Sequence, residues 1–250
     1  MKSLIITVAG MSSRFNKDTK EDVLKCLYYE DTPANSLISL QVHKCVDLVD
    51  EIIVVGGYKY EDLESFIRKE MKDVNKKMKL VYNDHYHDYG SGYSLLKGIE
   101  AVSENVDEII FIEGDLFFDS KSVKEVISSP KDVISVNNDP ILSNKAVALY
   151  FDAQNYPHYI YDTSHFCLEI HEPFTAIYNS GQMWKFQNPT RVKEICKFLT
   201  PEQEQGTNLE IIQKYFGTYK NSQLDIIRVN LWFNCNTVAD YRESIKALSA

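Results

Sequence analysis

"LIITVAGMSSRF", residues 4–15, is the stretch from which the fold is read. Its apolar start reads as a strand buried on both faces, over Leu4 to Ala9. Small residues follow at once (Ala9, Gly10, Ser12, Ser13), and Arg14 closes the turn. Small side chains leave backbone N–H groups uncovered, so such a loop can form a concave nest for an anion. A guanidinium beside it matches phosphate oxygens in bidentate fashion. The spacing is neither GxxxxGK[ST] nor GxGxxG, which removes the usual support for a P-loop ATPase or a dinucleotide site. An ordinary strand-to-helix turn with a surface arginine has the same local pattern.

Beyond this loop, strands and helices alternate. Ile38, Val42, Cys45, Val46 and Val49 recur at helical spacing, and "EIIVVGGY" (51–58) is a second strand. Leu63, Phe66, Ile67 and Met71 mark a helix, "KLVYND" (79–84) a strand, and "GYSLLKGIEAV" (92–102) another helix. "EIIFIEGD" (108–115) is the fourth strand. Strict alternation of this kind predicts a doubly wound, mostly parallel α/β sheet with both faces covered. Ligands of such sheets bind beyond the carboxyl ends of the strands. Those ends carry the 9–14 loop, Gly56-Gly57-Tyr58, Asn83-Asp84 and Gly114-Asp115.

From about residue 131 the pattern changes. "AVALYFD" (146–152), "HYIYD" (158–162), "FCLEIH" (166–171) and "FTAIYNS" (174–180), split by Pro140, Pro157 and Pro173, predict short antiparallel ribbons. Two helices follow, marked by Val192, Ile195, Cys196 and Leu199, then by Leu209, Ile212 and Phe216. A strand "LDIIRVNLWF" (224–233) and a helix over 238–248 end the sequence. With no repeat and no flexible linker, the expectation is one domain: a nucleotide-binding core (1–130), an acceptor or lid portion (131–223) and a closing strand and helix (224–250).

A chain of 250 residues, 44% hydrophobic and 25% charged, has the composition of a soluble globular protein. Its net charge of −9 argues against nucleic-acid or anionic-membrane partners. Five dispersed cysteines (Cys26, Cys45, Cys167, Cys196, Cys235), with no CxxC pair, suit reduced thiols in the cytoplasm. The apolar start is too short and, with Arg14, Lys17 and Lys20 so near, too soon charged for a signal peptide. No window approaches the roughly 18 apolar residues of a membrane span.

"ITVAGMSSRF" followed by "LKCLYYEDTPANSLI" (24–38) resembles the signature of the nucleotidyltransferase family with a GT-A-like fold. Its members carry an AGxxxR loop and then Pro-Lys. The resemblance runs through "VYNDHYHDYGSGYSLLKGI" (81–99), "IFIEGDLFF" (110–118), "NSGQMWKF" (179–186) and "LWFNCNTVADY" (231–241), in family order. The 81–99 and 231–241 segments are most similar to the short cytidylyltransferases of the CTP:phosphocholine type. The resemblance implies that Arg14 and Lys25 grip the phosphates and the departing pyrophosphate. It implies nucleotide contacts from Val8, Ala9, Gly10, Met11, Ser12, Ser13, Tyr58, Asn83, Ser91, Gly92, Ser94 and Gly114. It places acceptor contacts near Tyr178, Gly181, Gln182, Glu210 and Trp232, and a Mg2+ ion on Asp115. Two departures stand out: Leu24 replaces the family's proline, and Asn236 and Asn234 replace acidic residues of the closing motif.

A carboxamide oxygen coordinates Mg2+ without bringing charge. Asn236 is therefore read as the second ligand, with Glu113 or Asp119 as substitutes and lost catalysis as the third possibility; Asp240 reads as a helix-start charge. The expected activity is transfer of CMP from CTP to phosphocholine, 2-aminoethylphosphonate or an amino-acid phosphate, serving surface polysaccharide or lipid decoration. The alternatives are a sugar-1-phosphate nucleotidylyltransferase and a non-catalytic nucleotide-binding protein. His85, His87 and Asp88 read as a loop more than a metal site. His165 and His171, and an aromatic cage from Tyr156, Tyr159, Tyr161, Tyr178, Trp184 and Trp232, read as structural more than ligand-binding. A homodimer is left open.

Overall fold

The computed structural model describes residues 1–19, 21–142, 147–161 and 166–248. Lys20, the first residue of "AVALYFD", the last of "HYIYD" and His165 lie outside them.

The first half follows the predicted order with one short helix added, α1, straight after the loop: β1 (Lys2–Thr7), α1 (Ser13–Thr19), α2 (Leu37–Cys45), β2 (Glu51–Gly56), α3 (Tyr60–Glu70), β3 (Met78–Tyr82), α4 (Ser91–Ala101) and β4 (Glu108–Glu113). β1 lies between β2 and β4, parallel to both, and β3 extends the parallel run beyond β2. Side chains alternate between the faces. Leu4 and Ile6 join Ile52, Val54, Ile110 and Ile112 under α2 and α3, whereas Ile5 joins Ile53, Val55 and Phe111 under α4. Each fully buried aliphatic side chain contributes roughly 1.5–3 kcal/mol by leaving water, so two covered faces account for the uninterrupted apolar runs.

The second half joins the same sheet. After β5 (Leu116–Phe118) and α5 (Ser120–Ser128) come β6 (Val133–Asn137), β7 (Ala148–Asp152), β8 (Pro157–Ile160) and the thirteen-residue β9 (Phe174–Phe186). Then follow α6 (Pro189–Lys197), α7 (Pro201–Glu204), α8 (Leu209–Phe216), β10 (Asp225–Arg228), β11 (Trp232–Asn234) and α9 (Val238–Leu248). The main sheet runs β10-β6-β9-β4-β1-β2-β3, with β7 and β8 hung on the first half of β9 and β11 paired antiparallel to β5.

Three expectations need correction. "FTAIYNS" is only the start of β9, which inserts antiparallel between β4 and β6. "FCLEIH" forms no strand; Phe166 is exposed. "LDIIRVNLWF" divides into β10 and β11, because Asn230 and Leu231 donate their N–H groups to Ser122 Oγ and Asp119 Oδ2 rather than to a neighbouring strand.

β9 also buries a charge. The Lys185 side chain is 0% exposed and lies 2.9 Å from Glu108, while donating to the carbonyls of Ile127 and Ser129. Removing one partner of a buried pair costs about 3–5 kcal/mol when the other charge is left buried and unpaired. Glu108→Ala is therefore expected to lose about 3 kcal/mol in urea unfolding. Lys185→Met, which leaves Glu108 its contact with Lys2 at 3.1 Å, loses less; the reverse order would contradict this account.

Candidate active site

The tips of β1, β4 and the β3–α4 loop enclose a cleft of about 310 Å³. Gly114 locks two tips together: its N–H donates to Thr7 O at 3.1 Å, and a Cβ there would stand 2.3 Å from Val8 Cγ1. Asp115 is thereby fixed beside the 9–14 loop, its carbonyl accepting from Cys235 N at 2.8 Å.

The loop is shaped as the sequence suggests. Ser12 holds φ 55°, a left-handed conformation, and its Oγ accepts from Lys25 N at 3.0 Å. Among the described residues no protein acceptor takes the N–H groups of Gly10, Met11 or Ser12. A Cβ on Gly10 would meet nothing within 4 Å, so the fold itself does not require glycine there. Both observations suit a ligand lying on this backbone. The departure at Leu24 is conformationally mild: with φ −81°, it stands close to the range proline imposes.

The cations converge. Lys25 Nζ lies 3.1 Å from Asp115 Oδ2 and 3.2 Å from Asn236 Oδ1, and the Arg14 guanidinium donates to that same Asn236 oxygen at 2.9 Å. Asp115 Oδ1, by contrast, is buried with no hydrogen-bond partner. Below them, Glu113 Oε1 accepts from Asn208 Nδ2 at 2.7 Å. Burial, and then the neighbouring Asp115 charge, push the Glu113 carboxyl up to about 8, with Asn208 and Lys25 opposing. The Cys26 thiol also lines the cleft, but burial pushes it up to about 12, so it stays a neutral thiol.

Of the expected nucleotide contacts, Val8, Ala9, Gly10, Ser12, Ser13, Asn83, Ser91, Ser94 and Gly114 line this cleft together with Arg14, Lys25, Asp115 and Asn236. Three do not. Met11 points to solvent; the Tyr58 hydroxyl is taken by Asp22; and the Gly92 N–H is taken by Gly206 O at 3.1 Å. Asn83 and Ser94 bond each other at 2.9 Å in a buried floor.

A second cavity of about 640 Å³ adjoins it, sharing Arg14 and Asn236 with the first. It is lined by Trp232 and by amides including Asn137, Asn179 and Asn234. Of the expected acceptor residues only Trp232 lines it. Gly181 O accepts from the Trp232 indole N–H at 2.9 Å, and Gln182 lies behind Asn234. Tyr178 packs into the core beside Phe151, and neither it nor Glu210, in the first turn of α8, lines either cavity. Trp184 stacks on Phe111 in the core and donates to Tyr159, as packing requires.

Asp119 caps α5 through Ser122 N at 2.7 Å, which removes it as a substitute ligand. Asp240 accepts from the N–H groups of Asn236 and Thr237 at the start of α9. His85 stacks on Tyr89 and reaches Asp88, and no group of three or more metal-binding side chains occurs among the described residues. Asn208, read from sequence with Glu210 and Gln182 as a contact to an acceptor amino group, instead lines this cleft beside Glu113; Tyr86 and Tyr89 line it too, brought in by the 84–90 turn.

The family model described as "Domain of unknown function (DUF6564)" matches residues 21–248. The chain belongs to that family. No curated protein matches. Among solved structures it is similar to the inositol-1-phosphate CTP transferase from T. maritima, at 19% identity, 98% and 96% coverage of the two chains and a TM-score of 0.72. A UDP-glucose pyrophosphorylase complexed with UDP-glucose gives 13% identity, 100% and 98% coverage and 0.72. CTP:phosphocholine cytidylyltransferase from Streptococcus pneumoniae gives 16%, 99% and 99%, and 0.56. These likenesses establish the α/β fold that the nucleotidyltransferase resemblance implied. No helix among the described residues is long and apolar enough to cross a membrane.

Proposed function

We propose that this DUF6564 chain is a cytidylyltransferase that moves CMP from CTP to a small phosphorylated or phosphonylated metabolite. The observation that carries the reading is the convergence of Lys25 and Arg14 on Asn236, with Lys25 also on Asp115, beside a loop where the Gly10, Met11 and Ser12 N–H groups meet no protein acceptor among the described residues. Two cations and a backbone nest suit a triphosphate; a second cavity joined at Arg14 suits an acceptor that must approach the α-phosphate. The CTP-dependent names among the similar structures favour cytidine.

In the reaction an ionised acceptor oxygen forms a bond to the α-phosphorus as the bond to the bridging oxygen breaks, and pyrophosphate leaves. The acceptor phosphate is already ionised near pH 7, so no general base is needed. Catalysis is then positioning and electrostatic stabilisation. The nest and Arg14 orient the triphosphate, and the Lys25 ammonium stabilises charge on the leaving pyrophosphate. The orphaned Asp115 Oδ1, with the Asn236 carbonyl, offers the hard oxygen donors that Mg2+ prefers. Bound there with phosphate oxygens, Mg2+ would supply charge neutralisation at the α-phosphate.

The sugar-1-phosphate reading draws on the roomy, amide-lined second cavity and on the UDP-glucose pyrophosphorylase likeness. Incubating the protein with each NTP, Mg2+ and a library of phosphorylated metabolites, read by mass and pyrophosphate release, separates the two. CDP conjugates are expected. Turnover confined to UTP or dTTP with sugar phosphates would replace this reading by the second.

A further inference from the structure

The two asparagines that replace acidic residues belong to a longer chain. Asn236 Oδ1 accepts from Arg14 and Lys25, which can only donate. Its amide nitrogen must therefore point away, and it donates to Asn234 Oδ1 at 2.6 Å. That bond fixes Asn234 in turn, whose amide nitrogen donates to Gln182 Oε1 at 3.2 Å. The polarity runs one way, from the cations through three carboxamides.

We infer that Asn234 and Gln182 are positioning residues that hold the Asn236 oxygen toward the reaction centre. The inference rests on the proposed transferase reading. An aspartate has two equivalent oxygens and needs no such help. A carboxamide has unlike ends, and turned over it would aim an NH2 at two cations. Substituting amide for carboxylate thus creates a need for an acceptor behind it, which Asn234 meets, and Gln182 settles the orientation of Asn234. Gln182 meets that need from an unusual backbone. It is 5% exposed and holds φ 54°, a left-handed conformation that a non-glycine residue rarely adopts. It follows Gly181, where a Cβ would stand 2.5 Å from Ser135 Oγ. Gln182, expected from sequence to touch the acceptor, acts in this account one amide behind the second cavity's wall.

The test is Asn234→Leu and Gln182→Leu, with Asn234→Asp as the conservative variant, each first shown to keep its Tm. Asn234→Asp keeps an acceptor for the Asn236 amide. Two readouts apply: kcat against KM for CTP, and the side-chain amide resonance of Asn236 in 15N-labelled protein, assigned with Asn236→Asp. The leucine variants are expected to lose about 10–100-fold in kcat, the range of groups that orient ligands, with KM changed less than threefold. They also lose the slow exchange of the Asn236 amide protons, and Asn234→Asp restores both. Wild-type kcat in the leucine variants, or an Asn236 amide as protected as before, overturns the inference. If a leucine variant does not fold, Gln182→Met takes its place with the same readouts. Absence of turnover in the wild type with every NTP would overturn the transferase reading alone, and the amide signal then decides whether the chain holds Asn236.

Discussion

Lys25→Met is expected to lower kcat/KM for CTP by about 10²–10³-fold while leaving the protein folded, because in the proposed reaction it deletes the preorganised charge that stabilises the leaving group. The ammonium lies 3.1 Å from Asp115 and 3.2 Å from Asn236, and the backbone N–H of the same residue holds Ser12 in the loop, so the variant removes the charge without opening the loop. Methionine keeps most of the side chain's length and apolar contact. Steady-state pyrophosphate release with circular dichroism on the same samples checks it. A loss under tenfold would move the leaving-group role away from Lys25.

The second large effect is on stability. Burial and the neighbouring Asp115 charge raise the Glu113 carboxyl in the folded state to about 8, from its ordinary 4.5. Between those limits the folded chain holds a proton that the unfolded chain has released, so stability falls as pH rises. The contribution is fully present below pH 4.5 and is lost as pH passes about 8. Glu113→Gln removes that slope while keeping an acceptor for Asn208. In metal-free buffer with EDTA, the variant should match wild type near pH 5 and exceed it above pH 8 by several kcal/mol, with about 5 kcal/mol the ceiling that the displacement sets. Urea unfolding at both pH values measures it, and a difference that does not change with pH would show that Glu113 stays ionised in the fold.

Much of the fold was legible because the early strands are buried on both faces: Leu4-Ile5-Ile6 and Ile109-Ile110-Phe111-Ile112 admit no polar face to confuse the period. β9 was not legible beyond its start. Its middle reads Asn179-Ser180-Gly181-Gln182, and its buried Lys185 is tolerated only because Glu108 and two carbonyls, all distant in sequence, meet it. The 9–14 loop was readable because its shape lies in backbone and small side chains within one turn. Glu113 gave a weaker sign, an acid alternating with Asp115 at a strand end. Asn208 was readable only as an acceptor contact; its bond to Glu113 was not, since it spans 95 positions. The amide chain was hidden likewise: Asn234 and Asn236 read as departures, and the partner that gives them direction sits 52 positions away.

Calorimetric titration of CTP with Mg2+ into the wild type and Lys25→Met shows whether the loop and its two cations form a triphosphate site. Saturable one-to-one binding is expected that weakens at least tenfold in the variant and that pyrophosphate competes away. Equal CTP affinity in the two proteins, or no heat with any NTP, would contradict it.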